Sequence, residues 1–229
     1  MHLKRVMGLC FILIGFLISA VNLVEWQIAR SAAEEMTKEE VKQYEEARTT
    51  KQWTNQNKEI GIERKELPSN SRFEIKKEAQ IASTEVNHET GEKVALLIVP
   101  KIEQKYSVRW GTEEQVLKKG VGMFVSDWTT APNGGGHTVL SGHRDTVFYR
   151  MDEIEEQDFL LLEYEDKVYT YQVAKIWITD ENDRSIIVKK EKPMLTITTC
   201  YPFNYVGNAT ERYIIQADLI DKEEKSQST

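Results

Sequence analysis

Apolar and polar positions divide the chain into three unequal stretches. Residues 6–24 carry no charged side chain, and only Ser19 and Asn22 among them are clearly polar. At ~1.5 Å of rise per residue a helix over this run is about 28 Å long, near a bilayer's hydrocarbon thickness, so the pattern predicts a transmembrane helix. Residues 25–90 reverse the balance, with Glu, Lys, Gln, Thr and Asn dominant and few large apolar side chains. Such a stretch cannot build a core, and it predicts a polar stalk, helical over 34–48 and disordered beyond, with a break at Leu67-Pro68-Ser69-Asn70-Ser71. From residue 94 short apolar runs follow one another at close spacing. Those at 94–99, 121–125, 137–140, 159–164, 168–178, 194–199 and 213–219 read as strands, and 112–119 reads as a short helix capped by Thr112. About eight such strands with one or two short helices predict an all-β domain over residues 91–229, closed into an eight-stranded β-barrel.

Charge then orients the chain and removes one class of partner. Lys4 and Arg5 precede the apolar run and Glu25 follows it, which predicts a single-pass protein with a cytoplasmic N-terminus and the barrel outside the cell membrane. The small residues Ser31-Ala32-Ala33 also resemble a signal-peptidase site, but the apolar run exceeds the usual signal-peptide core and the site lies far beyond it. A net charge of −7 argues against nucleic acid, whose phosphates need a basic surface. Of the two cysteines, Cys10 lies in the apolar run, so Cys200 has no disulfide partner in its own domain and is a free thiol.

Cys200 ends the run Thr196-Ile197-Thr198-Thr199-Cys200, and Pro202 cannot continue a ladder, so the thiol sits where strand gives way to loop. A thiolate is a nucleophile, an imidazole can take its proton and return it to a leaving amine, and an arginine fork can hold a carbonyl or oxyanion. Cys200, His143 and Arg212 are the candidates for these roles. Thr199 and Tyr201, on either side of the sulfur, are candidate substrate contacts. The ordinary alternatives are a buried inert cysteine, a loop histidine, and a surface arginine paired with Glu211 or Asp218. His137, His143 and Asp145 lack the spacing of a zinc site, and Gly134-Gly135-Gly136 has no phosphate-loop lysine after it. The acidic run 152–158 lacks the alternating ligands of a calcium loop and reads as solvated. No metal or cofactor is expected; a regulatory calcium has no motif behind it.

Three segments carry a resemblance. Thr196-Ile197-Thr198-Thr199-Cys200, Leu140-Ser141-Gly142-His143-Arg144-Asp145-Thr146 and the stretch from Tyr201 through Arg212 to Tyr213 are similar to the cysteine, histidine and arginine motifs of the sortases. The third segment looks like that of class D. The resemblance implies an eight-stranded barrel with Cys200 as nucleophile, His143 as acid and base, and Arg212 as the carbonyl or oxyanion donor. It also implies a Leu-Pro-x-Thr-type sorting signal on an exported protein as substrate, and an amine of a peptidoglycan precursor as acceptor. Two other readings stay open: a plain cysteine hydrolase, and an exported barrel that binds partners without catalysis.

Overall fold

The computed structural model describes residues 2–30, 32–44, 46, 79–204, 207 and 209–225. Of the stalk predicted over 25–90, residues 47–78, with the break at 67–71, lie outside the described residues.

Eight strands form the barrel: β2 (Lys93–Val99), β3 (Gln104–Trp110), β4 (Val121–Met123), β5 (His137–Ser141), β6 (Phe159–Tyr164), β7 (Lys167–Asp180), β8 (Met194–Tyr201) and β9 (Glu211–Glu224). Around the ring they run β3-β2-β6-β7-β9-β8-β5-β4, and β4 returns in parallel register to β3 through Val108 opposite Val121. That pairing closes the barrel. Its interior is filled by Tyr106, Phe148, Leu162, Tyr171, Ile197 and Ile215, all nearly inaccessible to solvent. Strand period 2 sends alternate side chains inward, so on β8 Leu195 and Ile197 face the core while Thr196 and Thr198 face out.

β3 is absent from the sequence-based set. Its buried Gln104, Tyr106, Val108 and Trp110 alternate with the half-buried Lys105, Ser107 and Arg109, so no continuous apolar run marks it. The short helix also differs from expectation: α3 covers only Glu114–Leu117, its N-cap residue is Glu113, and no side-chain cap bond forms there. The acidic run is largely exposed, as expected, with Asp158 buried and two of its carboxylates in surface ion pairs. Glu153 meets Arg150 at 2.6 Å and Glu155 meets Lys101 at 2.9 Å.

At the N-terminal end, helix α1 (His2–Arg30) exposes Phe11, Ile12, Phe16 and Leu17. Among the described residues no helix is long and apolar enough to cross a membrane. The span predicted for residues 6–24 is therefore not a finding of the fold.

Part of the segment expected as a solvated stalk lies on the barrel. A ninth strand, β1 (Ala33–Glu35), pairs antiparallel with β3 from Ala33 opposite Tyr106 to Glu35 opposite Gln104. Helix α2 (residues 38–44) follows. It opens with a capping box, in which Glu40 N–H donates to Thr37 Oγ1 at 3.3 Å and Thr37 N–H to Glu40 Oε2 at 2.8 Å. Met36 is 7% exposed, packed with Ile98 and Leu161, and Val41 and Tyr44 lie against the same cluster. Only a few apolar side chains are involved, which is why the polar average of the segment hides them. The body of the domain also begins before residue 91: Ser83 is buried, and Gln80 Nε2 donates to Lys190 O at 2.7 Å.

Candidate active site

Three adjacent strands build the candidate site on the outer face of the barrel. β5 runs parallel to β8 with Ser141 opposite Thr198, and β8 runs antiparallel to β9 with Cys200 opposite Arg212. The β5–β8 ladder continues through Gly142, whose N–H donates to Thr198 O at 3.3 Å. His143 is then the next residue in line, two beyond Ser141 as Cys200 is two beyond Thr198. Side chains directly opposite in an antiparallel pair share a face, with Cβ atoms ~4.5–5.5 Å apart. Backbone register lays Cys200 opposite Arg212, and carried two residues past the end of β5 it brings His143 level with Cys200 on the other side. All three are partly exposed.

The backbone around this row is braced. Thr199 Oγ1 donates to Gly142 O at 2.8 Å, tying the residue before the cysteine to the residue before the histidine. Thr199 is 3% exposed, and its hydroxyl holds the two strand ends together. Glycine is required at 142 by a close approach: a Cβ there would stand 2.7 Å from the Phe148 ring. Phe148 N–H donates to His143 O at 3.0 Å, and its ring meets Tyr106 edge to face at 5.6 Å. The turn carrying His143 is therefore wedged against β3. Arg144 ties the same turn to the loop between β8 and β9 through Nη2 to Gly207 O at 2.8 Å.

Arg212 is fixed by acceptors. Nη1 donates to Ala209 O and Glu211 O, each at 3.0 Å, and Nη2 to Glu181 Oε2 at 3.2 Å. A guanidinium has five N–H donors, so these bonds orient the plane and leave two donors over. The carboxylate partner is Glu181, at the start of the β7–β8 loop, and neither Glu211 nor Asp218. Tyr201 stacks on Tyr213 at 6.2 Å, and Phe203 meets Tyr213 edge to face at 5.1 Å. Tyr213 is opposite Thr199, so Tyr201 and Tyr213 lie on the face of the sheet that Thr199 shares, the reverse of the Cys200 face.

His137 lies at the other end of β5, away from His143. Its Nδ1 is 2.8 Å from Val188 O and its Nε2 2.8 Å from Thr196 Oγ1. A carbonyl only accepts, so Nδ1 carries the proton and the threonine hydroxyl donates to Nε2. The neutral imidazole pins the β7–β8 loop to the barrel. Burial pushes its pKa down, against the smaller opposing effect of the Val188 bond. Neutral His137 thus contributes stability fully above its ordinary value of about 6.5, and that contribution falls as pH drops below it, because the unfolded chain takes up the proton first. The melting temperature of wild type is expected to fall between pH 7.5 and 5.5 by several degrees more than that of His137→Asn, measured by calorimetry. Parallel falls would show that His137 does not titrate with folding.

Glu181 and Phe148 have no motif that singles them out, and the close packing of Gly142 is not visible in the histidine motif that contains it. They are placed by register and loop path, which become visible only once the strands are paired.

The barrel agrees with what the chain is similar to. The Sortase domain family matches residues 97–220. Sortase D of Bacillus subtilis (strain 168) is 46% identical over 128 residues, 56% of this chain and 64% of that protein. Sortase SrtE1 of Streptomyces coelicolor is 30% identical over 131 residues, 50% of this chain and 37% of that protein. The chain thus spans less than two thirds of the length of these relatives. Among solved structures, the catalytic domain of B. anthracis SrtD is 58% identical with a TM-score of 0.54, covering 61% of this chain and 95% of that one. Sortase C from Clostridium perfringens SM101 is 29% identical with a TM-score of 0.53, covering 63% and 78%. With a family match over more than half of its length, and with its closed barrel, the chain belongs to the sortase family, on the class D side.

Proposed function

We propose that this protein is a membrane-held cysteine transpeptidase that cleaves a Leu-Pro-x-Thr-type sorting signal after the threonine and transfers the exported protein to an amine of a peptidoglycan precursor. The observation that carries this reading is the register, with Cys200 opposite Arg212 and His143 two residues past the Ser141–Thr198 pair. In the first step the Cys200 thiolate attacks the threonine carbonyl carbon, and the carbonyl oxygen becomes an oxyanion beside the Arg212 fork. Collapse of the adduct breaks the peptide C–N bond, the His143 imidazolium gives its proton to the leaving amine, and a thioester remains. In the second step the acceptor amine attacks the thioester carbon, His143 takes the amine's proton, and the thiolate departs.

The exposed Phe11, Ile12, Phe16 and Leu17 of α1 support a single-pass anchor with its N-terminus in the cytoplasm and the barrel outside.

Intact-mass spectrometry of the enzyme with a small library of Leu-Pro-x-Thr peptides tests this reading. An acyl adduct on Cys200 is expected, converted to amide product when an amine is added. Water resolving the adduct equally well with and without amine would make the protein a plain hydrolase. No adduct with any peptide, and no labelling of native Cys200 by a thiol reagent, would leave a non-catalytic binding barrel.

A further inference from the structure

We propose that the strap formed by β1 and α2 holds the active end of the barrel against the membrane surface, so that Cys200 works beside the lipid headgroups instead of at the end of a free stalk. The inference rests on the membrane-anchor reading given above and adds where the reacting sulfur lies.

Register fixes the end of the barrel at which the strap sits. Arg109 on β3 is opposite Gly122 on β4, Gly122 is opposite Ser141 on β5, and Ser141 is opposite Thr198 on β8. Two residues further toward the active end, β8 reaches Cys200, β5 reaches His143, β4 reaches Gly120 and β3 reaches Ser107. β1 pairs with β3 just past that level, at Gln104 to Tyr106. The seam where β4 has not yet begun is the place it fills. Ala32 marks the junction: Ser107 N–H donates to its carbonyl at 3.4 Å, and a Cβ on Gly120 would stand 3.0 Å from the Ala32 Cβ. The small residues at 32 and 33 thus have a packing reason.

Several contacts hold the strap in place. Met36 N–H donates to Glu103 O at 2.9 Å, and the Met36 side chain is buried on Ile98 and Leu161. Lys105 Nζ meets Glu40 at 3.0 Å and Glu34 at 3.5 Å. The Thr37 N–H, and after it the Lys105 ammonium, hold the Glu40 carboxyl below its ordinary range, so the pair stays charged at neutral pH.

The consequence is a short lever. α1 ends at Arg30 and β1 begins at Ala33, three Cα steps that reach at most about 11 Å. From β3 across β4 and β5 to β8 is three strand spacings, roughly 14 Å. Cys200 therefore lies within about 25 Å of the end of α1. Were the strap undocked, a coil over residues 31–78 would put the barrel at an r.m.s. distance of about 40 Å, with far longer excursions. An acceptor that is itself bound to the membrane meets a site held at its own height, whereas a soluble peptide is indifferent to that height.

The test uses the full chain in phosphatidylcholine–phosphatidylglycerol vesicles. Cys10→Ser leaves Cys200 as the only thiol for a donor dye, and an acceptor dye is carried on lipid headgroups. Strong energy transfer is expected, falling at least 2-fold when a flexible 24-residue Gly-Ser linker is inserted between Ser31 and Ala32, and likewise in Met36→Asp with Lys105→Glu. With unlabelled Cys200, the linker variant is expected to process a soluble peptide within 2-fold of wild type and to lose at least 5-fold with an acceptor amine displayed on the vesicle lipid. A protein that binds the vesicles but shows the same transfer with and without the linker would overturn the strap's role while leaving the anchor intact. A protein that fails to sediment with the vesicles would overturn the anchor reading and this proposal together.

Discussion

Cys200→Ala is expected to abolish acyl-enzyme formation and product release while leaving the melting temperature within a few degrees of wild type. The two halves of this expectation come from one placement. Cys200 is the last residue but one of β8, on the outer face, partly exposed, and is not part of the packed interior. Removing its sulfur opens no core cavity, so the stability loss typical of buried truncations does not apply. The sulfur is at the same time the only group in the row able to form the covalent intermediate, since neither imidazolium nor guanidinium can carry the acyl group onward. Steady-state turnover of a Leu-Pro-x-Thr peptide and a thermal melt of the same preparation check both halves. Retained turnover in a folded variant would end the nucleophile assignment. A large fall in melting temperature would instead show that the thiol is a packing residue.

What the sequence made legible is what local chemistry determines. Thr196-Ile197-Thr198-Thr199 is β-branched throughout, and Pro202 stops the ladder, so the placement of Cys200 at a strand end followed from residue types alone. β7 was readable over 168–178 and runs on to Asp180, whereas the run at 213–219 is only the middle half of β9. Other features depend on partners distant in the chain. β3 is a strand because Tyr106 and Trp110 have a barrel interior to face, yet its Lys, Ser and Arg positions broke the apolar run. β1 is three residues long and mostly exposed, and it forms because β4 starts late and leaves part of the β3 edge unpaired. The Thr37 capping box was present in the sequence as Thr-Lys-Glu-Glu and was the one local signal that α2 begins there. For the site, residue identities were readable but their order in space was not. That Cys200 lies between His143 and Arg212 follows from β5 and β9 flanking β8, a fact of topology.

The same topology makes Arg212→Lys the sharper test of mechanism. Lysine keeps the positive charge but offers three donors from one point in place of a planar fork. In the native arrangement Ala209 O, Glu211 O and Glu181 Oε2 use one side of the guanidinium, and this leaves the remaining N–H groups directed by a rigid plane. An ammonium drawn to the same three acceptors would have no such plane with which to meet an oxyanion. Loss of an oxyanion donor typically costs ~10²–10³-fold in kcat. A fall of that size is therefore expected, with KM changed much less, because the fork acts on charge that develops after binding. Glu181→Gln supplies the contrast. It keeps an acceptor for Nη2 and removes only a half-exposed ion pair, and such pairs are worth ~0–1 kcal/mol, so a change of no more than about 5-fold is expected. Equal losses in the two variants would mean that Arg212 matters as one end of an ion pair holding the β7–β8 loop. A large loss in Arg212→Lys alone, confined to kcat, would place the guanidinium at the reacting carbonyl.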